Sequence, residues 1–384
     1  MKVAVVFGTR PEAIKMAPVV HALRRAAAAG AGIQSAVFVT AQHRDMLDQV
    51  LKLFGIEPDA DLDVMRPNQG LADLTARMLT EVDHLFQREM PDLVLVHGDT
   101  TTAYVASLAA FYRKIPVGHI EAGLRTRHRY SPFPEELNRQ MVDSLATYHF
   151  APTRQAIENL LAEQVSPNGI VQTGNTVIDA LLIALERIGE KAASRLVSRY
   201  PSLSSVLSGK SRMLLVTSHR RENFGDGMTG IFEALVELTG TFTDTEVVYP
   251  VHPNPNVRQA TERLLAGRTR IHLLDPLDYD DFCYLMSRSY HILTDSGGIQ
   301  EEAPTLNKPV LVLRDTSERP EAVAVGAARV VGTRRRAIVE SATTLLTDPI
   351  EYRKMAVAVN PYGDGHAAER IVDFLCSITP RKAG

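Results

Sequence analysis

The stretch HILTDSGGIQEEAPTLNKPVLVL, residues 291–313, combines a β-type run, a glycine turn, a helical segment and a second β-type run. The first run ends at Asp295, and Ser296, Gly297 and Gly298 follow it directly. A glycine turn between a strand and a helix offers main-chain N–H groups to a phosphate. The stretch therefore predicts a parallel β-α-β unit with an anion site at the start of its helix.

The same helix carries two carboxylates, Glu301 and Glu302, which we expect in its first turn. In dinucleotide-binding folds an acidic residue accepts hydrogen bonds from the ribose hydroxyls. Glu302 lies four residues after Gly298, so the two share a helix face, whereas Glu301 faces elsewhere. We predict that the glycine turn binds a diphosphate and that Glu302 binds the ribose of the same nucleotide.

The alternation of short strands and helices continues along the whole chain. The strand-like runs are continuously apolar and rich in Val and Ile, which is typical of parallel strands buried on both faces. We expect the α/β class, with two Rossmann-like doubly wound parallel-sheet domains and an active site in the interdomain cleft at the carboxyl ends of the strands. The predicted strands are 2–7, 35–40, 92–97, 116–120, 148–151, 169–173, 212–218, 245–251, 271–274, 290–294, 309–313 and 328–332.

The alternation pauses between about residues 176 and 211. The segment 176–196 reads as one long amphipathic helix, and a stretch rich in Pro, Ser and Gly follows it. We therefore predict an N-terminal domain over 1–175 and a C-terminal, nucleotide-binding domain over 176–365. The last helix, about 366–384, is expected to pack back on the first domain.

The composition narrows the class of partner. The 384 residues are 45% hydrophobic and 23% charged with a net charge of −3, which predicts a globular protein without a nucleic-acid partner. No apolar run approaches the roughly 18 residues of a membrane span, and the first residues lack a signal-peptide pattern. Two cysteines are too few for a disulfide framework or a structural zinc site. We expect a cytoplasmic protein without a membrane partner.

The first predicted helix begins within the sequence GTRPEAIK. Thr9, Pro11 and Glu12 fit a helix start with a capping box. Arg10 does not fit, because a cation at a helix N-terminus is disfavoured by the helix dipole. A bound anion would explain it. We predict that Arg10 is a ligand-binding residue, together with Lys15 one turn further on.

Two acidic positions in the first domain allow a catalytic and a structural interpretation, and a third has a structural interpretation. Asp99 follows a strand and is either a helix N-cap or a catalytic acid. Glu121 ends another strand, where partial desolvation would raise its pKa and make it an acid or base; alternatively it pairs with Arg125. Glu135 opens a helix, where an acid is common, and Arg139 one turn later is a candidate partner.

The first strand of the second domain is followed by a basic cluster. His219 lies at the position that mirrors Arg10, and a histidine beside a phosphate acts as a proton donor or a hydrogen-bonding cation. The alternative is a solvated basic loop formed with Arg220 and Arg221.

Eleven segments follow one another in order from residue 1 to about 375. They are VFGTRPEAIKMAP, TAQHRDMLDQVL, HGDTTTAYVASLAAF, PVGHIEAGLRT, SPFPEELNR, TGNTVIDAL, SHRRENFG, YPVHPNP, LTDSGGIQEEAP, KPVLVLRDTSERPEA and NPYGDGHAAERI. Together they resemble the non-hydrolysing UDP-N-acetylglucosamine 2-epimerase family. This resemblance implies the two-domain GT-B fold, a homodimer, and interconversion of UDP-GlcNAc and UDP-ManNAc with neither NAD nor a metal as cofactor.

The resemblance also implies roles for individual residues. The family eliminates UDP to give 2-acetamidoglucal and adds it back, which requires carboxylates near C2 and cations near the departing diphosphate. The matching catalytic positions are Asp99, Glu121, Glu135, His219 and Arg139, with Arg139 expected to pair with Glu135. The matching UDP-binding positions are Arg10, Lys15, His219, Leu277, Phe282, Ser296, Gly297, Gly298, Glu302 and Arg319. An activating site for a second UDP-GlcNAc would use Gln42, Arg220 and His252.

Three other functions share parts of this pattern. A GT-B glycosyltransferase that uses UDP-GlcNAc would share Arg10 and the 296–302 segment, but it typically needs only one catalytic base. A hydrolysing 2-epimerase would release ManNAc and UDP. A non-catalytic nucleotide-sugar sensor would not need the three acids of the first domain.

Overall fold

The computed structural model describes residues 1–40, 44–66, 69–189 and 191–378. The chain divides into two compact units. Unit 1 comprises residues 1–183 and the C-terminal segment that begins at Tyr362, and unit 2 comprises residues 184–361. No helix among the described residues is both long and apolar enough to cross a membrane.

Unit 1 is built around a parallel sheet. Its seven strands, among the described residues, have the order β3-β2-β1-β4-β5-β6-β7. The order reverses between β1 and β4, which is where open α/β sheets bind ligands. The strands are β1 (Lys2–Phe7), β2 (Gln34–Val39), β3 (Ala60–Asp61), β4 (Leu93–His97), β5 (Val117–Ile120), β6 (Tyr148–Ala151) and β7 (Ile170–Gln172).

Helices cover the sheet of unit 1 and form its core with it. The first helix starts with the predicted capping box, in which Thr9 and Glu12 bond to each other's main chain. The helices are α1 (Arg10–Ala28), α2 (Arg44–Phe54), α3 (Leu71–Glu89), α4 (Thr101–Tyr112), α5 (Glu135–Leu145), α6 (Arg154–Ala162), α7 (Thr176–Ile188), whose last residues belong to unit 2, and α17 (Ala367–Ile378).

Unit 2 repeats the architecture with six parallel strands among its described residues, in the order β10-β9-β8-β11-β12-β13. Here the order reverses between β8 and β11. The strands are β8 (Arg212–Thr217), β9 (Thr245–Pro250), β10 (Ile271–Leu274), β11 (His291–Thr294), β12 (Val310–Val312) and β13 (Ala328–Val330). The helices are α8 (Lys191–Arg199), α9 (Ser204–Leu207), α10 (Asp226–Thr241), α11 (Pro255–Leu265), α12 (Tyr279–Arg288), α13 (Gly297–Glu302), α14 (Pro320–Ala324), α15 (Arg335–Thr347) and α16 (Pro349–Ala356).

The predicted class, two doubly wound parallel-sheet α/β domains, is confirmed. All twelve predicted strands are present with small differences at their ends. The additional strand β3 has only two residues and was not predicted, because its sequence contains no apolar run. The prediction of one long helix over 176–196 is wrong. Its first part ends at Ile188, Gly189 adopts a left-handed conformation (φ +49°), and α8 begins at Lys191.

Candidate active site

The reversal of strand order in unit 1 places Arg10 and Asp99 at neighbouring strand ends. Arg10 is the first residue of α1, directly after β1, and Asp99 follows β4. Arg10 is partly buried and makes no hydrogen bond or ion pair with any described residue. A partly buried guanidinium that has no partner in the described ranges, at the N-terminus of a 19-residue helix, is suited to binding an anion.

The Glu121 side chain lies at the end of β5, where three nitrogen-bearing side chains surround one of its oxygens. Lys15 of α1 forms an ion pair with its Oε2, His97 Nε2 lies 3.3 Å from that oxygen, and Asn175 Nδ2 donates to it at 3.0 Å. The carboxylate is 10% exposed. Glu121 also has a positive φ of +68°, which is unusual for a residue other than glycine.

The predictions for Glu121 are partly wrong. Burial raises the pKa of Glu121, but the charges of Lys15 and His97 outweigh burial and hold that pKa well below its ordinary value. The alternative partner was also wrong, because Arg125 instead bonds to Asp143 and Glu163. The structure thus presents Glu121 as an ionised carboxylate, which is the form that accepts a proton.

Asp99 pairs with Arg139, which was expected to pair with Glu135. Arg139 Nη2 contacts Asp99 Oδ2, and its Nη1 lies 3.2 Å from Glu136 Oε2. The Arg139–Glu135 prediction is wrong because Glu136, at i−3, is the acid that turns inward, where its carboxylate also accepts the N–H groups of Thr126 and Arg127. Glu135 opens α5 and has no ion pair with any described residue.

The helix-cap interpretation of Asp99 is also wrong. Thr100 is the N-cap of α4, and its hydroxyl accepts the N–H of Ala103. The Asp99 side chain instead pairs with Arg139, and it is about one-quarter exposed. The geometry brings Asp99 and Glu121 to adjacent strand ends, each beside a cation.

In unit 2 the loop after β8 is fastened to the end of β11 by Asp295. Asp295 Oδ2 accepts hydrogen bonds from the main-chain N–H groups of His219 and Arg220, both at 2.8 Å. It also accepts from Ser218 Oγ and Asn223 Nδ2 at 3.2 and 3.0 Å. Sequence reasoning placed Asp295 only at a strand end and missed this role, since the partner loop lies more than 70 residues away.

The His219 ring lies between Asp295 and His252. Its Nδ1 is 3.4 Å from Asp295 Oδ1, and its ring stacks on that of His252 with centroids 5.1 Å apart. Burial lowers the pKa of His219, with Asp295 opposing the shift and His252 adding to it.

The residues predicted for an activating site are distributed as follows. His252 is exposed and stacks on His219, and Arg220 Nη2 lies 3.4 Å from Glu318. Gln42 lies outside the described residues.

Neither the packing nor the backbone conformation requires glycine at positions 297 and 298. A Cβ at Gly297 would meet its nearest neighbour at 3.5 Å and a Cβ at Gly298 at 4.0 Å, which are ordinary contacts, and neither residue has a positive φ. Gly8 is different, because a Cβ there would lie 2.0 Å from Thr40 Oγ1. Ser296 is the N-cap of α13 and makes no side-chain cap bond with the described residues. The small residues at 296–298 therefore fit the close approach of a ligand to the main chain.

The two glutamates of α13 have different partners. The helix begins at Gly297, so Glu301 and Glu302 are its last two residues, and the expectation that they occupy its first turn is wrong. Glu301 is buried and pairs with Arg319, whereas Glu302 Oε1 accepts the Tyr279 hydroxyl at 2.8 Å. The contact of Arg319 with Glu301 was not predicted. Arg319, which was predicted to bind UDP, therefore has the Glu301 carboxylate as a neighbour.

The remaining predicted nucleotide positions lie at α12 and just before it. Leu277 is buried two residues before the start of the helix, and Phe282 is a half-buried residue within it. Tyr279 belongs to the same helix, so α12 connects these positions to Glu302. Within the described ranges, no group of three His, Cys, Asp or Glu side chains is arranged to hold a metal ion.

Comparisons with a family profile, with sequences and with solved structures all lead to UDP-N-acetylglucosamine 2-epimerases. The profile of the family described as UDP-N-acetylglucosamine 2-epimerase matches residues 25–376. The chain is 55% identical over 377 residues to the UDP-N-acetylglucosamine 2-epimerase of Yersinia pestis, covering 98% of each chain.

Solved structures agree with the sequence comparison. The Neisseria meningitidis UDP-GlcNAc 2-epimerase bound to UDP-GlcNAc is 50% identical with a TM-score of 0.88, over 98% of this chain and 100% of that one. The Methanocaldococcus jannaschii UDP-GlcNAc 2-epimerase in complex with UDP-GlcNAc and UDP is 32% identical with a TM-score of 0.78, over the same shares of the two chains.

Fold and site together define an α/β protein with two Rossmann-like parallel-sheet domains of the GT-B class. The chain belongs to the UDP-N-acetylglucosamine 2-epimerase family.

Proposed function

We propose that the protein interconverts UDP-GlcNAc and UDP-ManNAc by inverting the configuration at C2, without hydrolysis. The observation that carries this proposal is the pair of acids that follow the neighbouring strands β4 and β5 of unit 1. Asp99 lies beside Arg139 and Glu121 beside Lys15, so two carboxylates with adjacent cations follow neighbouring strands. A glycosyltransferase typically needs one catalytic base, and a sensor needs none.

The chemistry explains why more than one acid is needed. The hydrogen at C2 is not acidic, so a simple deprotonation would be too slow. Anti elimination removes the C2 proton while the bond from C1 to the UDP oxygen breaks, which gives 2-acetamidoglucal and UDP. UDP then adds back to C1, and C2 takes a proton on its opposite face. We assign these proton transfers to Asp99, Glu121 and Glu135, and the ionised state of Glu121 supports its part as a base.

The departing UDP carries the negative charge that develops in the elimination. Arg10, which has no partner among the described residues, and His219 are assigned to the diphosphate, with the N–H groups of the 296–298 turn. Glu302 is assigned to the ribose, and Leu277 and Phe282 to the uracil. Lys15 and Arg319 are assigned to UDP as well, although each contacts a glutamate in this structure.

The test is an NMR spectrum of UDP-GlcNAc incubated with the purified protein alone. We expect the anomeric signals of UDP-ManNAc to appear and to reach a constant ratio with those of UDP-GlcNAc. Free ManNAc accumulating in step with UDP would identify a hydrolase. An unchanged spectrum would leave only a transferase that lacks its acceptor or a sensor, and would reject this proposal.

We propose further properties with the activity. From the sequence we propose a cytoplasmic location, and from the family resemblance a homodimer, which light scattering on the purified protein would test. Its product supplies ManNAc-type precursors for a surface polysaccharide. Whether a second UDP-GlcNAc at Arg220, His252 and Gln42 activates the enzyme is decided by the conversion of UDP-ManNAc alone. A lag that added UDP-GlcNAc removes would identify an activating site, and a linear progress curve would exclude one.

A further inference from the structure

His119 is a fully buried histidine of β5 with both ring nitrogens engaged. Its Nε2 donates to the main-chain oxygen of Gly98 at 2.8 Å, and its Nδ1 lies 2.5 Å from Asp143 Oδ1. Asp143, on α5, is also buried. Burial raises the pKa of Asp143, but the charges of His119 and Arg125 outweigh it and hold the pKa below its ordinary value. The ring is thus held between the Asp143 carboxylate on one side and the Gly98 carbonyl on the other.

The bond to Gly98 fixes the peptide that leads into Asp99. Gly98 follows β4, has a φ of +65°, and donates its own N–H to Ile120 at 2.9 Å. Its carbonyl belongs to the peptide group that joins Gly98 to Asp99. The main chain before Asp99 is therefore held on both sides, and His119 holds one of them.

The second oxygen of Asp143 reaches the turn that follows Glu121. Asp143 Oδ2 accepts the Gly123 N–H at 3.2 Å and Arg125 Nη2 at 2.7 Å. Gly123 has a φ of +86°, and a Cβ there would lie 2.3 Å from the main-chain oxygen of Ala156, so this turn is tightly packed. Asp143 thus fixes the main chain two residues after Glu121.

We propose that His119 and Asp143 are positioning residues that hold Asp99 and Glu121 at a fixed separation for proton transfer at C2. Neither residue touches the substrate. They join the turn before one acid to the turn after the other through two side chains in van der Waals and hydrogen-bond contact. This inference rests on the proposed function, because the epimerisation chemistry is what requires a fixed separation between the two acids.

Two substitutions at His119 separate its two bonds. Asn places its amide near the position of Nδ1, so His119→Asn retains a group beside Asp143 and loses the donor to Gly98. Gln places its amide near Nε2, so His119→Gln retains that donor. Small displacements of catalytic groups cost up to about 100-fold in rate. We expect His119→Asn to lower kcat by about 10- to 100-fold, His119→Gln to restore most of the loss, and UDP affinity to be unchanged in both.

His149 provides the matched control. It is a buried histidine on the neighbouring strand β6, and its Nε2 donates to the main-chain oxygen of Asp143 at 2.8 Å. His149→Asn loses a comparable bond to the main chain of α5, but leaves the bonds of the Asp143 side chain to His119, Gly123 and Arg125 in place. It should lower the melting temperature about as much as His119→Asn, while turnover per folded molecule stays near that of the wild type.

The measurements are kcat per folded molecule, UDP affinity by calorimetry, and melting temperature for the three variants. Equal turnover in His119→Asn and His149→Asn would overturn the inference and leave His119 as a core histidine. If His119→Asn does not fold, Asp143→Asn takes its place under the same criterion. A wild-type protein that does not epimerise UDP-GlcNAc would reject the proposed function, and this inference with it.

Discussion

Lys15 and Glu121 form an ion pair that joins α1 to the end of β5 across 106 residues of sequence. The carboxylate is nearly buried, and His97 and Asn175 contact the same oxygen. Such a group is ionised in the resting protein and has donors already arranged around it. A carboxylate in this state is able to accept a proton, and the donors that stabilise its charge also lower its basicity.

We expect Glu121→Gln to lower kcat by at least about 100-fold, because an amide cannot exchange the proton and positioned acid–base groups contribute about 10² to 10⁴ in rate. The melting temperature should also fall, since Lys15 loses its carboxylate partner. UDP affinity should change little. Steady-state kinetics, calorimetry and a thermal melt on the one variant measure all three.

Glu163→Gln is the control for this variant. Glu163 is a half-exposed carboxylate of unit 1 that pairs with Arg125 and belongs to neither acid turn. Its substitution should leave turnover near the wild-type value. Near-normal kcat in folded Glu121→Gln would remove Glu121 from the mechanism and leave Asp99 and Glu135 to carry both proton transfers.

The ion pair also predicts how stability depends on pH. The pKa of Glu121 is lower in the folded protein than in the unfolded chain, so folding favours the carboxylate. Its stabilising contribution is therefore complete above about pH 5 and is lost as the pH falls towards the folded-state pKa. The gap in melting temperature between wild type and Glu121→Gln should be widest near neutrality and narrow between about pH 5 and pH 3. A gap that stays constant or widens on acidification would show that the pair is not ionised as described.

For the ribose contact, we expect Glu302→Ala to raise the dissociation constant for UDP by about tenfold to a hundredfold, since a charged hydrogen bond is worth roughly 1.5–3 kcal/mol. Tyr279→Phe removes one hydrogen-bond donor to the same carboxylate and serves as the control. It should weaken UDP binding far less. Equal losses in the two variants would mean that Glu302 acts through Tyr279 rather than on the nucleotide.

A diphosphate beside His219 should cause proton uptake on binding. Burial lowers the pKa of His219 in the free protein, so the ring is neutral near pH 7. A bound anion favours the charged ring and raises that pKa. Calorimetry of UDP binding in two buffers with different ionisation enthalpies should show uptake of part of a proton, and His219→Asn should abolish it. Uptake that persists in the variant would place the titrating group elsewhere.

The sequence predicted the strands and the strand ends well, because buried parallel strands leave continuous apolar runs and the ligand-binding edge follows from their order. The capping box at Thr9 and Glu12 was also predictable, since both partners lie within four residues.

Partners at long sequence separation were not predictable. Local spacing suggested Arg125 for Glu121 and Arg139 for Glu135, but the contacts formed are Lys15 with Glu121 and Arg139 with Asp99. These pairings are set by which strand ends are neighbours in the sheet. The direction of the pKa shift of Glu121 was missed for the same reason, because burial was visible in the sequence and the cations were not.

In the proposed reaction, C2 of the sugar loses and regains a proton through protein side chains, and incubation in heavy water reveals this exchange. UDP-GlcNAc is incubated with the wild-type protein in deuterium oxide, and the C2 position of UDP-ManNAc is read by NMR and mass spectrometry. We predict that the product carries deuterium at C2, because the carboxylates that return the proton exchange with solvent. UDP-ManNAc that keeps its original hydrogen at C2 would contradict the account.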